Sequence, residues 1–255
     1  MWRLKAWRSG GTARRTLIDE ALWRGVVSRF GFLRALTRAE LERLRILAQS
    51  FLEAKQLSGA AGLQLTDEMR TVIAAQACLL ILNLGLDYYR GWVEVIVYPG
   101  DFRPRREYTD ENGVVHIERE IMQGEAWLKG PVILSWEAAV NSLNEQGTNV
   151  VIHEFAHKLD MLNGESNGFP PLHDGMDRAS WARDFSAAYQ DFCIRVDQNE
   201  DTAIDPYAAE SPAEFFAVLS EFFFESPQML KRTYAEVYRQ LSRFYRQDPA
   251  KRMIR

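Results

Sequence analysis

One stretch constrains this chain more than any other: Val150-Val151-Ile152-His153-Glu154-Phe155-Ala156-His157-Lys158-Leu159-Asp160. Its apolar residues, Val150, Ile152, Phe155, Ala156 and Leu159, predict an amphipathic helix, and no proline or glycine interrupts the run between Thr148 and Leu162. His153 and His157 are four apart, so on a helix one imidazole stands a turn above the other. Two imidazoles at that spacing can hold one Zn²⁺ at about 2.0–2.1 Å. Glu154 is turned roughly 100° from His153, which sets its carboxylate beside the ion, placed to take a proton from water. That division of labour is the HExxH chemistry of zinc hydrolases. The competing reading is a helix that happens to carry two core or surface histidines. The chain holds 4 histidines, and the pair at ligand spacing on a strongly apolar helix favours the metal.

Composition narrows the classes. A length of 255 residues suffices for one large domain or two small ones with ample core. A formal charge of −4 gives no overall footprint for nucleic acid or an anionic membrane, so neither partner is expected. Cys78 and Cys193 are too few for a disulfide framework, and both read as buried, reduced thiols. The basic N-terminus passes straight from Leu17-Ile18 into Asp19-Glu20 without an apolar stretch of signal-peptide length. The longest apolar run, Val72 to Leu86, contains Gln76 and Asn83 and is too short to span a bilayer. The expected compartment is the cytoplasm.

Along the chain, residues 1–16 mix Trp2 and Trp7 with Arg, Lys, Gly and Ser, as in a solvated arm. A helical pattern over Leu17 to Phe32 is broken by Gly25 and Gly31. Thr37 and Glu40 make a capping box for a helix to about Lys55. Gly59 to Gly62 breaks the chain before a short alternation, Leu63-Gln64-Leu65, and a helix apolar nearly all round runs from Asp67 to about Leu84. Trp92 to Tyr98 is the best strand, stopped by Pro99-Gly100. After the charged residues 101–112 and the turn signal Asn112-Gly113, short strands are expected at 114–117 and 131–136, then a short helix near Ala138–Leu143. Asn163 to Met176 is a Gly- and Pro-rich mobile loop near the site. Helices follow at Trp181–Val196, Ala213–Phe224 and Tyr234–Gln247, with a turn from Pro227 and an acidic loop over 197–206. This order predicts an α+β, zincin-like fold, mostly helical, with a small mixed sheet beside the HExxH helix. Residues 17–255 form one domain in this reading, with a helical N-terminal subdomain (about 17–90) and a catalytic part (about 91–255). Residues 131–136 are the expected edge strand, on which an extended peptide adds by main-chain hydrogen bonds.

A catalytic zinc keeps three protein ligands and one open position. Asp160 and Asn163 exclude the metzincin pattern, which needs Gly and His there. His116, in a charged hairpin, and His173, in a loop, are weak candidates. Carboxylates in Glu210-Ser211-Pro212-Ala213-Glu214-Phe215-Phe216-Ala217-Val218-Leu219-Ser220-Glu221 are stronger. Glu214 would face the catalytic helix, although Ser211, Pro212 and Glu214 also read as a plain capping box. Glu221, two turns later, is either the rival ligand or a group that orients a histidine. Asp160 either fixes a histidine tautomer or caps its helix.

The HExxH run, together with Asp205-Pro206-Tyr207-Ala208-Ala209 and the Glu210–Glu221 stretch, closely resembles the Mlc titration factor A family of cytosolic bacterial zinc peptidases. The likeness extends to Glu94–Pro99, Gly130–Trp136 and Phe244–Pro249, and is weakest over the first sixteen residues and 163–180. The resemblance implies a zincin with His153, His157 and Glu214 as ligands of one Zn²⁺, Glu154 as general base, and Glu214 preferred over Glu221. The second motif is also similar to the anthrax lethal factor protease domain, where a tyrosine seven residues before the ligand glutamate faces the metal. Here that position is Tyr207, an oxyanion donor on this reading and otherwise an aromatic packed in a loop corner. The implied activity is gluzincin-like peptide hydrolysis, aminopeptidase-like on short substrates. The resemblance also implies a different class of function, sequestration of a transcriptional repressor of the Mlc type, with catalysis secondary or absent. The C-terminal helix (Arg239, Arg243, Tyr245, Arg246) and the N-terminal arm are the candidate docking surfaces. A purely structural zinc is the weakest reading, since such sites close with four ligands, usually including Cys.

Overall fold

The computed structural model describes residues 18–101, 106–109, 115–118, 124–141 and 148–252, with backbone alone for 106–109, 115–118 and 141. The expected N-terminal arm, residues 1–16, lies outside the described residues. Asp19 opens α1 (Glu20–Arg29) by accepting from the amides of Ala21 and Leu22. Gly25 does not break α1; the chain turns at extended Phe30 instead, and Gly31 begins α2 (Gly31–Arg34). The Thr37–Glu40 box forms reciprocally and starts α3 (Arg38–Ala54). Thr66 caps α4 (Asp67–Leu80), which is buried on nearly every side and ends before the expected Leu84.

Strands β1 (Gln56–Gly59), β2 (Glu94–Tyr98), β3 (Arg106–Thr109), β4 (Val115–Glu118), β5 (Gly124–Ala126) and β6 (Val132–Ser135) form two sheets. A four-stranded sheet has the order β1-β2-β6-β5, its first three strands parallel and β5 antiparallel to β6, while β3 and β4 pair as an antiparallel ribbon. Four strands differ from expectation, and one of them, β3, lies within the charged residues 101–112, where no strand was expected. β1, for which no strand was expected, runs into Gly59 at the start of the glycine-rich break, and only Leu57 of its Gln-Leu-Ser-Gly is buried, so it carries no alternation to read. Residues 131–136 are not the edge: β6 is interior, and its nearly continuous apolar burial is what an inner strand shows. The edge beside the helix over 150–160 is β5, whose Gly-Glu-Ala has no hydrophobic pattern.

The second half is helical: α5 (Trp136–Asn141), α6 (Val150–Asp160), α7 (Arg178–Asp197), α8 (Pro212–Glu225), α9 (Pro227–Thr233) and α10 (Ala235–Tyr245). Pro227 therefore starts a helix, with proline in its first turn where a missing amide hydrogen is harmless. This is the expected α+β fold, mostly helical, with a small mixed sheet beside α6. Among the aromatic contacts, two groups of rings tie α6 and α8 to their neighbours. Phe51, Tyr89 and Trp92 meet Phe155 of α6, with ring centroids 5.1–5.7 Å from it. Trp181, Phe185 and Phe244 meet Phe216 of α8 at 6.1–6.2 Å. Cys78 is buried, whereas Cys193, on α7 with its thiol 4.0 Å from the Ala209 carbonyl, is only half-buried. Tyr245 is fully buried and donates to Ser220 at 2.8 Å, and Arg243 donates to the Gly175 carbonyl at 2.6 Å. The apolar face of α10 thus packs inward, and Tyr245 is no part of an exposed surface on that helix. Among the described residues no helix is long and apolar enough to cross a membrane.

Candidate metal centre

Asn149 opens α6: its side chain accepts from the Ile152 amide at 2.9 Å, replacing a bond the first turn cannot make internally. From that start, His153 and His157 project on one face, 4.7 Å apart between ring centroids. Ser211 likewise caps α8, accepting from the Glu214 amide at 3.2 Å, with Pro212 in the first turn. The capping geometry and an inward carboxylate coexist, since Glu214 caps nothing with its side chain. Its Oε2 lies 3.0 Å from His153 Nε2 and 3.3 Å from His157 Nε2, and the two nitrogens are 3.1 Å apart. Ligand atoms on tetrahedral Zn²⁺ at about 2.0–2.1 Å are about 3.3 Å from one another, so the three donors fit one face of such a tetrahedron. Among the described residues this is the sole cluster of His, Cys, Asp or Glu with that geometry.

The far side of each ring is held. His153 Nδ1 donates to Glu221 Oε1 at 2.8 Å, which places Glu221 behind the histidine rather than among the converging donors. Glu221 Oε2 accepts from the Asn149 amide, and Asn149 Nδ2 donates to Gln76 and Glu225, both at 2.8 Å. His157 Nδ1 lies 3.1 Å from Ser166 Oγ, which donates to Asp160 Oδ2 at 2.7 Å. Asp160 therefore acts on the histidine through Ser166. The same oxygen accepts from the amides of Asn167 and Gly168, so the loop expected to be mobile is pinned at its start. Trp181 Nε1 adds a bond to the Gly168 carbonyl at 3.2 Å. These contacts fix both rings with Nε2 facing the cluster, the arrangement that ligating histidines need.

Electrostatics separate the carboxylates. Burial opposes ionisation of Glu214, but hydrogen bonds from His153 and His157 outweigh it and hold this group well below the usual carboxylate range. Burial would lower His153, yet its bonds to Glu214 and Glu221 raise it well above an ordinary imidazole. Glu154 is pushed up to about 7, chiefly by burial, and one of its oxygens has no partner. A buried carboxylate oxygen left open beside three converging donors suits a proton acceptor. β5 closes over it: a Cβ added at Gly124 would stand 2.4 Å from Glu154 Oε1, so only glycine lets the edge strand approach this closely.

Tyr207 lies on a short 3₁₀ turn (Pro206–Ala209) opened by Asp205, which accepts from its amide at 2.9 Å. Its ring is 6.1 Å from that of His153 and 43% exposed, so it borders the cluster from the solvent side. Burial and then the Glu214 carboxylate raise the phenol, which stays a protonated donor. His173 is engaged elsewhere: Nε2 donates to the Phe244 carbonyl at 2.7 Å and Nδ1 lies 3.0 Å from the Tyr88 hydroxyl. The backbone of His116 lies in β4, opposite Tyr108, and its side chain is outside the described residues. Sequence reasoning missed Gly124, Asn149 and Ser166. Asn149, directly before an apolar run, was legible as a cap; the other two carry no local signal.

The family model for the glucose-regulated metallo-peptidase M90 matches residues 4–246. Proteins named Mlc titration factor A, from Salmonella arizonae and Salmonella agona, are each 40% identical over 220 residues. The match covers 86% of this chain and 88% and 83% of the respective relatives. A namesake from Salmonella typhi matches to the same extent.

Proposed function

The chain belongs to the glucose-regulated metallo-peptidase M90 family, and on that premise we propose that it is a zinc-dependent, gluzincin-like peptidase. His153, His157 and Glu214 hold the ion, and Glu154 is the general base. The observation that carries this reading is the convergence of three donors within 3.3 Å of one another beside an unpartnered oxygen of buried Glu154. Bound there, zinc supplies Lewis acidity, polarising a carbonyl and making water acidic near neutral pH.

The chain's own residues do the rest. Glu154 accepts the proton of the attacking water and returns it to the leaving amine, a shuttle suited to a carboxyl near neutrality. Tyr207 donates to the carbonyl oxygen as negative charge develops there. Glu221 and Ser166 keep the imidazoles aligned, and the β5 edge receives the main chain of an extended substrate. An aminopeptidase-like preference for short substrates and a cytoplasmic location follow from the family resemblance. The name of the relatives favours a second reading, in which the protein also binds, or only binds, a repressor of the Mlc type.

The test is zinc content together with hydrolysis of aminoacyl and peptide reporters by the wild type and Glu154→Gln. The peptidase reading expects about one zinc in each protein and cleavage by the wild type alone. Zinc in both with no cleavage of any reporter turns the assignment to the binding reading. No zinc after reconstitution overturns both the metal and the mechanism.

A further inference from the structure

Lys158 follows the second histidine directly, yet it is only 2% exposed and, among the described residues, forms no ion pair. Its ammonium donates to the Trp127 carbonyl at 2.6 Å and the Gly130 carbonyl at 3.1 Å, and lies 4.9 Å from the centre of the Trp92 ring. Those carbonyls bracket the turn between β5 and β6, which is closed by Gly130 N donating to Trp127 O at 3.2 Å. The turn displays its own apolar side chains to solvent, Trp127 at 51% and Leu128 at 41% exposure. The lysine therefore anchors a surface element. Burying an ammonium that is paired with no carboxylate among the described residues is costly, and an apolar residue of similar volume serves stability as well or better. What the charge secures is position.

α6 and β5 run alongside each other with two points of attachment. Gly124 lies against Glu154 at one end, and the Trp127–Gly130 turn is bonded to Lys158, one helical turn further on, at the other. Two points fix the line of a strand relative to a helix. We propose that Lys158 is a positioning residue. By holding the turn it keeps the edge of β5 level with the catalytic helix, so that a peptide main chain pairing with that edge is delivered in register to Glu154. The peptide as ligand rests on the peptidase reading; the anchoring does not. Lys55 is the matched control. It is also buried, donates to the Tyr89 and Trp92 carbonyls and lies 3.8 Å over the same indole, but its bonds end in that segment.

The experiment uses the full-length, zinc-loaded protein. Lys158→Met and Lys55→Met are each placed in a Glu154→Gln background, which holds a peptide without consuming it. Binding of a fluorescein-labelled nonapeptide is read by anisotropy, and amide exchange over residues 124–131 by mass spectrometry. In the wild-type background, cleavage of an aminoacyl p-nitroanilide, too short to reach the turn, is followed in parallel. Lys158→Met is expected to weaken nonapeptide binding about tenfold or more and to speed exchange over 124–131, while leaving zinc content and the short reporter within about twofold. Lys55→Met leaves binding and that exchange unchanged. Equal effects of the two variants, no effect of Lys158→Met, or no nonapeptide binding by any variant overturns the proposal. If the nonapeptide binds with the expected difference but the wild type cleaves nothing, the peptidase reading fails and the anchoring role stands.

Discussion

Gly124→Ala tests whether the contact between the edge strand and the catalytic helix governs turnover. The added Cβ would meet Glu154 Oε1 at 2.4 Å, Glu154 Cγ at 2.6 Å and Val150 Cγ2 at 2.7 Å, where ordinary contact begins at 3.4 Å. Turning the carboxylate alone is no remedy, because Cγ collides as well. Strand and side chain must part by about 1 Å, and misplacement of a reacting group by that much costs on the order of 10²-fold in rate. That corresponds to about 2.7 kcal/mol of lost transition-state stabilisation. Overpacking costs a further ~1–3 kcal/mol of folding stability. Peptide hydrolysis, zinc content and a thermal melt are measured together, with Gly25→Ala as the control. Nothing lies within 4 Å of a Cβ at Gly25 in the middle of α1, so that substitution should gain about 0.5–1 kcal/mol and leave activity intact. A zinc-loaded Gly124→Ala with kcat/KM within about twofold of wild type would refute the reasoning.

Three further outcomes are expected. Glu221→Gln weakens the acceptor behind His153 and should lower zinc affinity about 10–100-fold, read by competition with a chromogenic chelator; an unchanged affinity would show that the contact is idle. Tyr207→Phe should retain zinc and lose about 10²-fold in kcat with little change in KM, whereas a loss confined to KM would place the phenol in substrate binding instead. The zinc-free protein should be more stable at pH 5.5 than at pH 8. Glu154, raised to about 7, contributes stability that is lost as pH rises from its unfolded value through 7. His153, also raised, contributes stability that is present below its unfolded value of about 6.5 and lost as pH rises through its higher folded value. Both slopes have the same sign, so an apo melting temperature that climbs between pH 5.5 and 8 would contradict them.

Much of the site was legible before any fold was known, because its parts are local. Helical periodicity puts His153 and His157 on one face and turns Glu154 aside, whatever surrounds the helix. The Thr37–Glu40 box and the Ser211-Pro212 start of α8 are equally local, since a capping side chain finds its amide within one turn. Burial of Asp67–Leu80 was visible in the absence of a polar face. By contrast, the choice between Glu214 and Glu221 turns on which carboxylate points at both Nε2 atoms, and that depends on how α8 crosses α6. Strand order is of the same kind. β6 reads as a strand from its apolar run, but its interior place depends on β5, three residues without a pattern that become a strand only by pairing. The demand for glycine at 124, the Ser166 bridge to Asp160 and the reach of Lys158 to two carbonyls join segments distant in sequence, or a helix to its following loop. The sequence by itself determined the helix that carries His153, Glu154 and His157, because hydrogen bonding along a helix is short-ranged. Only the tertiary structure decided which carboxylate completes the donor set and which strand borders it, because packing between elements is settled by contacts that no local window contains.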